Sequence, residues 1–140
     1  MHRVVIASAL LVTMTLIGPA PPAAAGRRST YVTDTCTRVR MRPEAIVFAC
    51  GDGNFYVDQL QWRSWHTWRA AGRGVFHIND CKPDCADGTF HVRRGRIRFA
   101  SRIRCDGIDK FVFDRARIAY DRAWHHTRRF GVRHIGCPIH

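Results

Sequence analysis

Six arginines lie within a short stretch in the second half of the chain: Arg93, Arg94, Arg96, Arg98, Arg102 and Arg104. Successive side chains of an extended segment alternate between the two faces of a sheet, so the four arginines beyond Gly95 would share one face. Such a row attracts polyanions, because each phosphate that it neutralises releases counterions. The spacing therefore predicts an anion-binding strand, and the alternative is a solvated strand face in an arginine-rich chain.

The charge of the whole chain agrees with an anionic partner. Lys and Arg number 23 against 11 Asp and Glu, which gives a formal net charge of +12. This balance favours nucleic acid, acidic polysaccharide or an anionic cell-envelope or lipid surface, and it does not choose among them. The cationic tail, residues 121–140, is a second candidate site, because its His125, His126 and His134 gain charge as the pH falls towards about 6.

Residues for catalysis are few. Glu44 is the only glutamate, and with His66, His77 or His91 it could form an acid–base pair beside arginines that hold a phosphate. No local motif places these groups together, and neither a nucleophile elbow nor a glycine-rich phosphate loop is present. A non-catalytic binding protein is the preferred interpretation. The alternative is a small secreted hydrolase that acts on a phosphodiester or a glycan through Glu44 and a histidine.

The chain contains an even number of cysteines: Cys36, Cys50, Cys81, Cys85, Cys105 and Cys137. In a small exported protein this number indicates disulfide bonds, and the sequence alone does not determine their pairing. Cys36 with Cys137 is attractive as a terminus-to-terminus pair, because both flank the core of the sequence motifs, and the other four cysteines would then pair among themselves. Zinc at Cys81 and Cys85 with His91, or calcium around Asp52, are weaker interpretations, and we expect neither a metal nor another cofactor.

The first 25 residues have the pattern of a secretory signal peptide. Arg3 precedes an apolar stretch from Val4 to Ile17, prolines follow, and Ala23–Ala25 supplies the small residues of a cleavage site. We expect a secreted, extracellular protein with no transmembrane segment after cleavage.

The remaining segments indicate the elements that must position these residues. We divide them into a flexible lead-in at 26–42, a β domain at 43–120 and the tail. Ala45–Cys50 predicts a buried strand, and after a turn the aromatic run to Trp68 predicts a second strand with a bulge. Its three tryptophans favour a core, with an exposed stacking platform as the alternative.

Glycine-containing segments and the C-terminal tail give the last features predicted from the sequence. The run Ala70–Gly74 is typical of a connector, and Gly95 of a bulge or tight bend. Asp121 is a good helix N-cap and Gly131 a good helix end. The predicted fold is mainly β: a small, disulfide-stabilised antiparallel sandwich or barrel of about five or six strands, with room for a short C-terminal helix.

The ordered motifs also carry a resemblance. They run from Arg42-Pro43-x-x-Ile46 and Ala49-Cys50-Gly-Asp-Gly-Asn54 through Leu60-x-Trp62-x-x-Trp65 to Asn79-Asp-Cys81-x-Pro-x-Cys85-Ala-x-Gly88-x-Phe90-His91. The set resembles a group of small exported actinobacterial proteins of uncharacterised function. The resemblance implies export and a small β-rich domain, and it supplies no activity. Those sequences often have proline and uncharged residues where Arg94–Arg98 lie, and they end soon after the position of Tyr120.

Overall fold

The computed structural model describes residues 29–124 and 127–139, and for 123, 124 and 127–133 it describes the backbone only. The predicted signal peptide lies outside the described residues. The described residues form eight strands: β1 Thr30–Thr33, β2 Val39–Arg40, β3 Ile46–Val47, β4 Phe55–Trp65, β5 Arg69–Asn79, β6 Phe90–Cys105, β7 Lys110–Trp124 and β8 Thr127–His134. Over the described ranges there is no α-helix, and hence none that could cross a membrane.

The strands form one curled sheet in the order β2-β1-β7-β6-β5-β4-β3. β6 covers one edge of β7, while β1 and β8 share its other edge; β1 pairs in parallel through Thr30 and Phe111, and β8 pairs antiparallel further along. All other pairs are antiparallel. The predicted class, mainly β and mainly antiparallel with disulfides, is confirmed. The strand count is eight rather than about five or six, because β2 and β3 are two-residue strands and the tail adds β8.

The prediction that the tail could form a short helix is wrong. Asp121 belongs to β7 and Gly131 to β8, and the backbone of Ile118 pairs with that of Phe130. Beyond Val112, where β1 stops, the edge of β7 would otherwise expose unpaired backbone groups. β8 supplies hydrogen-bond partners for that edge, so tertiary pairing overrides the local capping signals.

The hydrophobic core lies against one face of the sheet. Aromatic and branched aliphatic side chains from β1 and from β3 to β7 form it: Val32, Ile46, Phe55, Val57, Leu60, Phe76, Ile97, Phe99, Phe113, Ile118 and Tyr120. β4 reaches this core with two register irregularities, between Asp58 and Gln61 and between Trp62 and Ser64, as the mixed periodicity predicted. The opposite face of the central strands is open to solvent.

Three local assignments made from the sequence are wrong: the flexible lead-in, the connector at Ala70–Gly74 and the bulge at Gly95. The lead-in is part of the sheet at Thr30–Thr33, where Val32 is fully buried. Ala70–Gly74 lies inside β5, and Gly95 lies in regular β6 directly opposite Gly74. A Cβ at Gly95 would lie 2.8 Å from the Ala119 carbonyl oxygen. These glycines therefore allow close packing of strands rather than a turn or a bend.

All six cysteines form disulfides, with the connectivity Cys36–Cys50, Cys81–Cys85 and Cys105–Cys137. The predicted Cys36–Cys137 pair is wrong. The two ends do meet, but through the backbone: Ile139 N–H donates to the Cys36 carbonyl at 2.8 Å. Val47 N–H donates to the Asp34 carbonyl at 2.8 Å, which brings the segment before Cys50 beside Cys36 instead.

Candidate anion-binding face

β6 separates an apolar row from a cationic row. Gly95, Ile97 and Phe99 are buried, while the arginines at the alternating positions 94, 96 and 98 are exposed. Alternation of this kind follows from the pleat of a strand, which points successive side chains to opposite faces. Three arginines therefore repeat along the solvent face at about 6.6–6.8 Å, twice the rise per residue of a strand.

Neighbouring strands add arginines to the same face. Arg96 pairs with Arg73 of β5, and Arg98 pairs with Arg117 of β7. Between the arginines lie alanines: Ala71 is opposite Arg98 on β5, and Ala100 lies between Arg69 and Arg115. The small alanine side chains leave shallow depressions between the long arginine side chains. The guanidinium groups can therefore reach a ligand that lies across the strands.

We name the exposed set on β4 to β7 the arginine face. Its members share contiguous surface depressions and are Arg63, Arg69, Arg73, Arg94, Arg96, Arg98, Arg115 and Arg117. Arg98 lines two of these depressions and Arg73 lines two, so the depressions form one continuous surface.

Little negative charge balances this surface. Arg73 pairs with Asp121 at 2.6 Å, and Arg115 lies 3.6 Å from Asp114. The other six members form no ion pair with any described residue. Their charges add at close range in partly shielded depressions, which raises the potential that an anion meets.

The structure divides the six arginines predicted from the sequence. Arg94, Arg96 and Arg98 lie together on the arginine face. Arg93 is half-buried, and its Nη1 donates to the Val92 carbonyl at 2.8 Å, while Arg104 pairs with Asp109. The expectation of one shared row through Arg104 is therefore wrong. Ser101 has a φ of 62°, which interrupts the extended backbone between the two halves of the row.

Arg102 has a different environment. Its guanidinium carbon lies 4.1 Å from the ring centroid of Trp68 and 4.1 Å from that of Phe111, so the group is stacked between two aromatic rings. Its Nε and Nη1 have no hydrogen-bond partner among the described residues. The rings therefore fix the position of this guanidinium.

Five members of the arginine face were missed from the sequence: Arg63, Arg69, Arg73, Arg115 and Arg117. A signal for four of them was present. Arg69 and Arg73 alternate with buried Ala70 and Gly72, and Arg115 and Arg117 flank buried Ala116. The same period of two that identified the β6 row applies here.

The residues considered for catalysis are not brought together. Glu44 is exposed, and no described side chain forms a hydrogen bond or ion pair with its carboxylate. Two of the three histidines considered for catalysis approach aspartates instead: His77 lies 3.2 Å from Asp58 and His91 lies 2.9 Å from Asp80. The third, His66, is exposed and forms no ion pair with a described residue.

The loop before β6 is built from hydrogen bonds to Asp80. The bond from His91 and the backbone N–H groups of Thr89 and Lys82 lower the pKa of Asp80 to about 2. Cys81 and Cys85 are joined in this loop, so their thiolates are not free to bind zinc. Over the described ranges no cluster of at least three His, Cys, Asp or Glu side chains could hold a metal ion.

Asp52, considered for calcium, is a turn residue. Its Oδ1 accepts the backbone N–H of Asn54 at 3.0 Å, and bonds from the backbone and then the side chain of Asn54 lower its pKa. Of the three histidines named for the tail, His125 and His126 lie outside the described residues. His134 is exposed, 3.6 Å from Asp114.

No protein family, curated protein or solved structure matches this chain. The arginine face is therefore the feature from which a function can be inferred.

Proposed function

We propose that this chain is an exported, non-catalytic protein that binds an anionic polymer or cell-envelope surface through the arginine face. One observation carries the proposal. Six exposed arginines on four adjacent strands have no ion-pair partner among the described residues, although acidic side chains are available elsewhere in the fold. A surface that served only solubility would gain from mixing both signs of charge.

The arrangement suits a long ligand better than a small one. The arginines spread over β4 to β7 and surround shallow depressions rather than converging on one point. A polymer can contact several of them at once, and each contact releases counterions. Binding should be strongly salt-dependent and weakly selective for the order of units along the polymer, because no described contact reads such an order.

Support for export comes from the cysteines and the N-terminal pattern. Three disulfides are typical of proteins that mature in an oxidising compartment. The signal-peptide pattern of residues 1–25 agrees with this compartment.

The test compares two double substitutions that remove equal charge. Arg96→Gln with Arg98→Gln changes the arginine face, and Arg38→Gln with Arg104→Gln changes exposed arginines elsewhere. Binding to heparin and to single-stranded DNA is measured at low salt. We expect the first pair to weaken binding about tenfold or more and the second pair to have little effect. Equal effects of the two pairs would mean that net charge alone, and not the arginine face, attracts the polymer.

Two further results would overturn the proposal. Binding that strengthens as the pH falls towards about 6 and is indifferent to the first pair would place the site at the histidines of the tail. The other result is enzymatic activity. If the protein cleaves RNA or cell-wall polymers and Glu44→Gln abolishes this activity, the chain is the small hydrolase that was the alternative interpretation of the sequence.

A further inference from the structure

Trp68 differs from the neighbouring tryptophans of β4. Trp62 Nε1 donates to the Pro43 carbonyl at 2.8 Å, and Trp65 Nε1 donates to the Thr30 carbonyl at 3.0 Å, so both are tied to the fold. Trp68 is 62% exposed, and its indole makes no hydrogen bond with a described residue. A large exposed ring of this kind needs a reason beyond core packing.

The Trp68 ring is nevertheless held in place. It belongs to the turn between β4 and β5, where His66 N–H donates to the Arg69 carbonyl at 2.8 Å. Buried Thr30 anchors the same turn through its hydroxyl, which donates to the Thr67 carbonyl at 2.6 Å. The Arg102 guanidinium, itself backed by Phe111, lies against the ring. A ring fixed in this way loses little conformational entropy when a ligand stacks on it.

Trp68 is next to the arginine face along the chain. Trp68 directly precedes Arg69, which lines one depression of the face together with Arg98, Arg115 and Arg117. We expect a long ligand that follows these arginines past Arg69 to reach the indole with one of its units. Cationic grooves beside aromatic rings are how proteins bind single-stranded nucleic acid, with phosphates on the charges and bases on the rings.

We propose that the arginine face and Trp68 together bind single-stranded nucleic acid, with a base stacked on the indole. This inference rests on the proposed function, because the arginines supply the phosphate contacts. The repeat of about 6.6–6.8 Å along β6 is close to the separation of neighbouring phosphates in an extended single strand. Bases are exposed for stacking in a single strand, whereas a duplex hides them and a sulfated glycan has none.

The experiment uses three probes: a thymidine oligonucleotide, an oligonucleotide of equal length with abasic residues, and heparin. The first two carry the same phosphates and differ only in their bases. We expect the protein to prefer the thymidine oligonucleotide about tenfold or more, the range expected for stacking one base. Trp68→Ala should remove this preference without weakening the binding of the abasic probe. Trp68→Phe, which keeps an aromatic ring, should retain most of the preference.

Each other outcome has a defined meaning. Equal affinity of the unchanged protein for the two oligonucleotides would overturn the nucleic-acid inference. A preference that survives Trp68→Ala would overturn the assignment of the stacked base to the indole. Heparin binding that falls with Trp68→Ala as much as thymidine binding would assign the ring to a sugar and also overturn it. Failure of all three probes to bind at low salt would overturn the proposed function itself. Arg96→Gln with Arg98→Gln should lower the affinity for both oligonucleotides by the same factor.

Discussion

Arg98 of β6 and Arg117 of β7 lie directly opposite each other, and neither forms an ion pair with a described residue. Like charges at opposed positions of a sheet are destabilising. The pair therefore weakens the sheet at its centre, within the long antiparallel pairing of β6 and β7. Such a cost is understandable if these arginines serve a ligand, because functional sites commonly violate rules that favour stability.

This relationship gives a stability prediction. Arg98→Gln should raise the free energy of unfolding by about 0.2–1 kcal/mol at low salt while it weakens polyanion binding. The gain should shrink at high salt, where the repulsion is screened. Urea unfolding at two salt concentrations measures it, with Arg104→Gln as the control that breaks an ion pair with Asp109 and should bring no gain. A loss of stability in Arg98→Gln would contradict the repulsion.

A second prediction concerns the packing at Gly95. A Cβ there would lie 2.8 Å from the Ala119 carbonyl oxygen and 3.1 Å from the Phe76 ring. Gly95→Ala should therefore lower the free energy of unfolding by about 1–3 kcal/mol, the usual effect of overpacking. Gly51→Ala is the matched control, because a Cβ at Gly51 would meet nothing within 4 Å. Denaturant unfolding of both variants tests this prediction. Equal free energies of unfolding for Gly95→Ala and Gly51→Ala would contradict it and show that the strands separate easily at Gly95.

Gly95 also shows why part of the fold could not be predicted from the sequence. Glycine in a strand indicates a bulge or a close approach, and only the partner strand decides between them. Gly74 lies opposite Gly95, but the sequence does not state that register. The same limit applies to Asp121 and Gly131, whose helix-capping types are overridden because β8 completes the edge of β7. Local patterns gave the class of fold, while the partners of each strand required the structure.

The candidate site was predictable to a similar degree. Period-two alternation identified Arg96 and Arg98, and it would have identified Arg115 and Arg117 as well. What it could not give is the register between β5 and β6, which places Arg73 beside Arg96. It also could not show that Ser101 interrupts the row, because a φ of 62° at a serine has no clear sequence signal.

A third prediction ranks the disulfides. Chain entropy in the unfolded state makes a bridge more stabilising as its loop grows. The sequence separations are 32 for Cys105–Cys137, 14 for Cys36–Cys50 and 4 for Cys81–Cys85. Replacing each pair by alanine should cost roughly 4, 3 and 2 kcal/mol in that order. Thermal or urea unfolding of the three double variants measures the ranking. A larger loss at Cys81–Cys85 than at Cys105–Cys137 would contradict it.

A fourth prediction concerns acid. The pKa of Asp80 is lowered from 3.8 to about 2, mainly by the hydrogen bond from His91, so the folded state favours the carboxylate. This contribution is fully present above about pH 4 and is lost as the pH falls through about 2. Unfolding measured from pH 5 to pH 2 should show a stability advantage over Asp80→Asn that disappears across this window. An advantage that is constant with pH would exclude the carboxylate as its source.

The most direct test of the arginine face is the salt dependence of single-stranded DNA binding. Each phosphate contact with a single strand contributes about 0.7 to the slope of log affinity against log salt concentration. The double substitution of Arg96 and Arg98 to Gln should therefore flatten the slope by about 1.4, whereas that of Arg38 and Arg104 should leave it parallel to the unchanged protein. Parallel slopes for all three proteins would contradict the claim that the arginine face binds the polymer.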